Sequence, residues 1–236
     1  MNAVLVAHGT RKPSGVALIE MLAQRVSVVL GSRVHVAFVD VVGPTPAEVL
    51  RGLTGPTVVV PAFLAHGYHV NTDIPAHVAA SGHPDVTVTE ALAPSPQLAR
   101  VLADRLLESG WRPGDSVVLA AAGTSDLRAQ SDLHQMATWL SAMTSSRVEL
   151  AYAAVGEPRV ADAVEELRGR GARRVVVASY LLSDGLFQDR LRSSGADVVT
   201  APLGTHDGLV RLIASRFQRA RLAPTSTWPS ALNRVG

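Results

Sequence analysis

Cysteine is absent from the 236 residues of this chain. That excludes disulfide frameworks, thiolate nucleophiles, iron–sulfur clusters and thiolate metal sites together. A metal would have to be held by imidazole and carboxylate, a donor set suited to Fe²⁺, Co²⁺, Ni²⁺ or Zn²⁺. Lysine is nearly absent too: Lys12 is the only one, and the other basic side chains are Arg. Arg suits bidentate recognition of carboxylates, although a general composition bias accounts for the same excess. The basic residues form no long run and do not interleave with aromatics, and the formal net charge is only +2. Nucleic acid is therefore not an expected partner, despite a pI of about 9.5. No uninterrupted apolar stretch reaches membrane-spanning length, and no basic n-region with an h-region opens the chain. A cytoplasmic protein without a membrane partner is expected. None of the strand–helix turns carries G-x-G-x-x-G, so no dinucleotide loop is expected either.

What the chain does have is a copy of itself. Val4-Leu5-Val6-Ala7-His8-Gly9-Thr10 returns as Val118-Leu119-Ala120-Ala121-Ala122-Gly123-Thr124. The segment from Val36 to Pro44 returns from Leu150 to Pro158. Val58–Leu64 returns as Val175–Leu181, with Val58 set against Val175. A shared apolar framework implies a shared fold. The polar groups are not shared. His8 is matched by Ala122, Asp40 by Ala154, and Ala65-His66-Gly67-Tyr68-His69 by Leu182-Ser183-Asp184-Gly185-Leu186. That asymmetry predicts a site built by the first half and walled by the second.

Short β-branched runs near 3–7, 34–41, 57–63 and 86–90 alternate with amphipathic stretches near 14–30, 46–53, 73–81 and 96–109. The second half repeats the alternation, with strands near 116–121, 147–154, 174–181 and 197–200. Its helices are expected near 126–144, 159–169, 186–193 and 206–221. The alternation predicts an α/β protein with parallel sheets covered on both faces. Continuous runs such as Val58-Val59-Val60 fit strands buried on both sides. The expected organisation is a first half over 1–110, a degenerate second half over 115–222 and a tail over 223–236. The seam falls in the Gly- and Pro-punctuated Ser109–Asp115. The Pro/Ser/Thr-rich stretch from Pro224 reads as a loose tail or a strap.

His8 ends an apolar strand, where ligands bind in open α/β sheets; a histidine merely capping that strand fits the same position. Asp40 ends the second strand on the same rim, and it also suits the turn leading to Gly43-Pro44-Thr45-Pro46. His66 and His69 follow the third strand on one loop. Asp73, ahead of Ile74-Pro75, reads as the N-cap of the next helix. His35, His77, His83, His134 and His206 read as surface or helix-face residues. Three consecutive strands of one half thus deliver imidazole or carboxylate to one edge, a first-row metal set with coordination positions left open.

These residues resemble a known family. Val4–Arg11, Phe38-Val39-Asp40 with Pro44, and Pro61–Leu64 through His69-Val70-Asn71-Thr72-Asp73-Ile74-Pro75 are similar to the sirohydrochlorin chelatases of siroheme and cobalamin synthesis. The likeness runs from residue 3 to about 221 and includes the two-half form. It implies two flavodoxin-like, chelatase-like halves, each a mainly four-stranded parallel sheet, with a cleft between them. It also implies a lyase that inserts Fe²⁺ or Co²⁺, as substrate, into a tetrapyrrole with no tightly bound cofactor. The family's metal-binding and catalytic histidines fall on His8 and His69, and its strand-end acid, usually Glu, falls on Asp40. His66 is outside the motif; a spare ligand, a proton acceptor and an incidental loop residue all fit it. Thr10, Arg11, His66 and Arg128 are candidate contacts for the substrate and its carboxylates. Lys12, Ser125 and the helix starts near Ser14 and Asp126 are further donors. One chain supplies both walls, so a monomer suffices. The competing readings are a non-catalytic tetrapyrrole or metal carrier of the same fold, and a histidine phosphatase. The latter places an Arg where Ala7 stands here.

Overall fold

The structure, a computed structural model, describes residues 1–222. The tail expected over 223–236 lies outside the described residues. In the first half the elements are β1 (Asn2–Ala7), α1 (Pro13–Leu30), β2 (Val34–Phe38), α2 (Pro46–Arg51) and β3 (Thr57–Pro61). They continue with α3 (Ile74–Ser81), β4 (Val86–Val88) and α4 (Pro96–Glu108). The second half repeats the order: β5 (Ser116–Gly123), α5 (Leu127–Thr144), β6 (Val148–Val155), α6 (Val160–Gly169) and β7 (Val175–Tyr180). It ends with α7 (Leu186–Arg192), β8 (Val198–Val199) and α8 (Asp207–Leu222).

Each half is a four-stranded, all-parallel sheet, ordered β2-β1-β3-β4 and β6-β5-β7-β8. Both faces of the central strands are buried, as their apolar runs predicted. Along β1, Ala3, Leu5 and Ala7 face the helices between the sheets, and Val4 and Val6 face α2 and α3. β5 does the same: Val117, Leu119 and Ala121 face inward, and Val118 and Ala120 face α6 and α7. Helices α1, α4, α5 and α8 fill the space between the sheets around one core, with Leu22, Leu102, Met136 and Phe217 all fully buried. A side chain of that size contributes roughly 1.5–3 kcal/mol on burial. The halves also exchange terminal helices, with α4 packing on β7 and α8 on β3. The layer between the sheets therefore belongs to both halves.

Helix α1 qualifies the reading of hydrophobic length. No apolar run is unbroken, yet these 18 residues, with a mean hydropathy of 1.3, are long and apolar enough to cross a membrane. Its place in the fold accounts for that composition. It is the β1–β2 crossover, and Gly15, Ile19, Leu22, Ala23 and Val26 are its buried stripe.

The internal repeat needs one correction. Leu5 pairs with Val60 and its counterpart Leu119 pairs with Ala178. The structural match for Val58 is therefore Val176, not Val175. Val58 and Val176 face inward, whereas Val175 faces outward. A slip of one residue inverts every side chain of a strand, and a run of three valines carries no mark of its phase. Matched backbone bonds confirm the new register: Leu92 N–H donates to Phe63 and Leu203 N–H to Leu181. Carried onward, it sets Gly67 against Gly185 and His69 against Phe187.

Candidate functional site

A sheet of this order has a switch point between its two central strands. The chain leaves β1 toward one side and β3 toward the other, and the loops after them part to open a crevice. Here the β1 and β3 loops of the first half face the β5 and β7 loops of the second. Between them lies a cleft of about 590 Å³. His8, Phe63, His66, Tyr68 and His69 line it from one side. Ala122, Thr124, Ser125, Tyr180, Leu182 and Phe187 line it from the other. The only imidazoles among these residues come from the first half.

His8 is the first exposed residue after the buried β1. Gly9 follows it at φ +92°, where a Cβ would collide with the Asp40 carbonyl oxygen. Gly123 repeats the arrangement against Val155. Glycine is needed because the next loop crosses so closely; the histidine is dispensable to that geometry, and the second half has Ala122 instead. His8 and His69 meet across the crevice with ring centroids 4.6 Å apart and planes nearly perpendicular. Phe63 and Tyr68 flank His69 at 5.9 and 6.1 Å.

His69 does not sit on a loop. It opens a π-helical turn, His69–Asp73, that runs straight into α3. Asp73 is consequently already helical and makes no side-chain cap, contrary to its N-cap reading. Its carboxylate instead accepts a hydrogen bond from His69 Nδ1 at 2.5 Å. His66 is anchored in the same way from the opposite half. The Asp132 carboxylate on α5 accepts from His66 N–H at 2.8 Å and from Nδ1 at 2.9 Å. His8 Nδ1 faces its own neighbour's carbonyl, Gly9 O, at 3.1 Å. Carboxylate and carbonyl oxygens accept, so these partners assign the proton to Nδ1 in all three rings. Each ring is left with one lone pair, on Nε2.

Tyr180 joins the walls. Its ring is buried, and its hydroxyl donates to Leu64 O at 2.9 Å across the cleft floor. Burial, and next the charge of Asp132, push its phenol well above the usual tyrosine range.

The structure brings His8 and His69 together and puts His66 in the same cleft; Asp40 stands beside His8, its backbone N–H donating to His8 O at 3.1 Å, and is not among the residues that line the cleft. Among the described residues no group of three or more His, Asp or Glu side chains is placed to hold a metal ion. Asp40 is exposed, and its Oδ1 accepts from Val41 N–H at 2.7 Å. It follows β2, the neighbour of β1 on the side away from β3. The substrate contacts expected at Thr10, Arg11 and Arg128 are not in the lining either. Thr10 accepts from Lys12 N–H, Arg11 and Arg128 are exposed, and Lys12 bridges to Asp189 of the other half. The matching turn of the second half supplies Thr124 and Ser125 to the wall instead. Among the cations, Arg190 lies over the ring of the cleft residue Phe187, 5.7 Å from its centroid. Sequence reasoning missed Asp132, Tyr180 and Arg190. Their signal is their place opposite the first half's loops, which only the packing of the halves reveals.

Comparison with known proteins agrees with this architecture. The sirohydrochlorin cobaltochelatase of Priestia megaterium is 28% identical over 207 residues, 81% of this chain and 67% of that protein. The protein of the same name from Methanothermobacter thermautotrophicus is 28% identical over 130 residues. That match takes up 45% of this chain but 90% of the relative, which is thus about the size of one half. Among solved structures, SirB from Bacillus subtilis with Fe³⁺ superposes with a TM-score of 0.82 at 17% identity, covering 93% of this chain and 95% of that one. A CbiX structure described as the terminal enzyme of siroheme biosynthesis in denitrifying bacteria gives 0.74 at 21% identity, covering 93% and 99%. The CbiX family model matches residues 2–109 and again 116–220. Matched across both of its halves, the chain belongs to the CbiX family.

Proposed function

We infer that this protein is a sirohydrochlorin chelatase, a lyase that exchanges the two pyrrolic protons of a tetrapyrrole for Fe²⁺ or Co²⁺. The observation that carries the reading is the His8–His69 pair, two imidazoles facing each other in an otherwise largely apolar cleft. Their Nε2 lone pairs are the donors for the incoming ion, and two neutral donors leave the rest of its coordination sphere open. A site that must give up its metal needs that weakness. Asp73 fixes the ring of His69, as carboxylates commonly do for metal-binding histidines. Asp40 is outside this donor pair.

The apolar walls suit the faces of a flat macrocycle, with Phe63 and Tyr68 on one side and Tyr180 and Phe187 on the other. Sirohydrochlorin carries carboxylate arms. Thr124 and Ser125 within the cleft and Arg190 over the cleft residue Phe187 are the contacts we assign to them. One chain supplies both walls, so we take the working unit to be a cytoplasmic monomer. Mixing the protein anaerobically with sirohydrochlorin and Co²⁺ or Fe²⁺ and following the absorbance tests the assignment. Repeated turnover is expected; stoichiometric binding without turnover contradicts it and identifies a carrier.

A further inference from the structure

We infer that His66 is the first acceptor of the pyrrolic protons, and that the second half enters the chemistry by positioning it through Asp132. The inference rests on the chelatase reading above. It starts from an accounting of lone pairs. Nδ1 of His8, His66 and His69 is committed in every case, to Gly9 O, Asp132 and Asp73. Each ring therefore has one free lone pair. A ring whose Nε2 holds the metal has nothing left with which to take a proton. While the ion sits on His8 and His69, neither of them is a base.

Something else in the cleft must be, because the ion cannot enter the macrocycle before a pyrrolic proton leaves. Among the described residues that line the cleft there is no carboxylate and no amine, and His66 is the one remaining imidazole. The Tyr180 hydroxyl is committed to Leu64 O. Among the described residues His66 belongs to no group of three or more side chains placed to hold a metal ion.

Asp132 gives His66 what a base needs. One carboxylate oxygen takes both the backbone N–H and Nδ1–H of the residue, fixing loop and ring together. The side chain of Asp132 is only 15% exposed, so the hydrogen bond that orients the ring is largely shielded from water. Tyr180 of β7, whose hydroxyl is bonded to Leu64 O, lines the same cleft.

The step balances without an oxidant or a reductant. A pyrrolic N–H bond breaks, its electron pair stays on nitrogen, and the proton goes to His66 Nε2. The ion then bonds to the ring nitrogens and leaves His8 and His69. Their released lone pairs accept the second proton, and the sum is one divalent ion in and two protons out.

The test compares His66→Gln, Asp132→Asn and His69→Gln with the parent chain. It measures Co²⁺ affinity without substrate, then kcat and KM for insertion into sirohydrochlorin. His66→Gln should lower kcat by about 10²–10⁴-fold, the usual worth of a general base. Its Co²⁺ affinity and its KM should stay at the parent values. Asp132→Asn should lower kcat by about 10–100-fold, the usual effect of losing an orienting partner, again at parental Co²⁺ affinity. His69→Gln should lose Co²⁺ binding itself. Loss of Co²⁺ affinity in His66→Gln would overturn the inference and make His66 a ligand. A parental kcat in His66→Gln would overturn it as well, leaving the chelatase reading intact. Failure of the parent chain to insert metal would instead overturn the chelatase reading and the proton step with it.

Discussion

Replacing Asp73 by Asn separates two roles that the same residue could have. As an N-cap, Asp73 would stabilise α3 and leave the cleft alone. As placed here, it caps nothing and holds His69 Nδ1 at 2.5 Å. A hydrogen bond involving a charged partner is worth about 1.5–3 kcal/mol. Loss of a carboxylate behind a metal-binding histidine costs about 10–100-fold in affinity, or about 1.4–2.8 kcal/mol at 1.4 kcal/mol per factor of ten. Asp73→Asn should therefore weaken Co²⁺ binding by about 10–100-fold. Thermal unfolding should change little, because the amide oxygen still accepts from the ring. Titration calorimetry with Co²⁺ and a melting curve on the same sample are sufficient. Unchanged Co²⁺ affinity would refute the orienting role; the melting curve serves as the folding control, since Asn caps a helix about as well as Asp.

Tyr180→Phe should cost about 1–3 kcal/mol, because the Leu64 carbonyl loses its partner across the halves. At about 2–4 °C per kcal/mol for a chain of this size, a melting curve resolves that loss. Asp40→Asn should leave Co²⁺ affinity unchanged, since Asp40 serves the Val41 N–H rather than the imidazole pair; a large drop in a binding titration would bring Asp40 back as a third donor. Gly9→Ala should destabilise the fold beyond the roughly 1–2 kcal/mol of a left-handed alanine, because its Cβ meets the Asp40 carbonyl. Gly31→Ala, also at positive φ but in open space, should cost only that conformational term, and denaturant unfolding of the two variants makes the comparison.

The strands and helices were legible because each signals itself locally, by a β-branched run or by a helical period closed by Gly or Pro. The rim of the sheet was legible for the same reason: His8 and His69 stand where buried strands end. What failed was whatever local grammar leaves ambiguous. Val175-Val176-Val177 has no phase, so the repeat was set one residue off. Asp73-Ile74-Pro75 reads as a capped helix start, and only the π-helical turn before it turns that aspartate toward His69. Asp40 sits beside His8 on the rim as read, but spacing does not reveal that its carboxylate accepts from Val41 N–H. Asp132 lies 66 residues from the histidine it holds. Only the helices shared between the two sheets bring that pair together.

Crystals soaked with Co²⁺ and measured at the cobalt absorption edge test the central claim most directly. The account predicts an anomalous peak in the cleft, bonded to Nε2 of both His8 and His69, with their Nδ1 atoms still facing Gly9 and Asp73. A cobalt ion bound elsewhere while both Nε2 atoms remain free would contradict it.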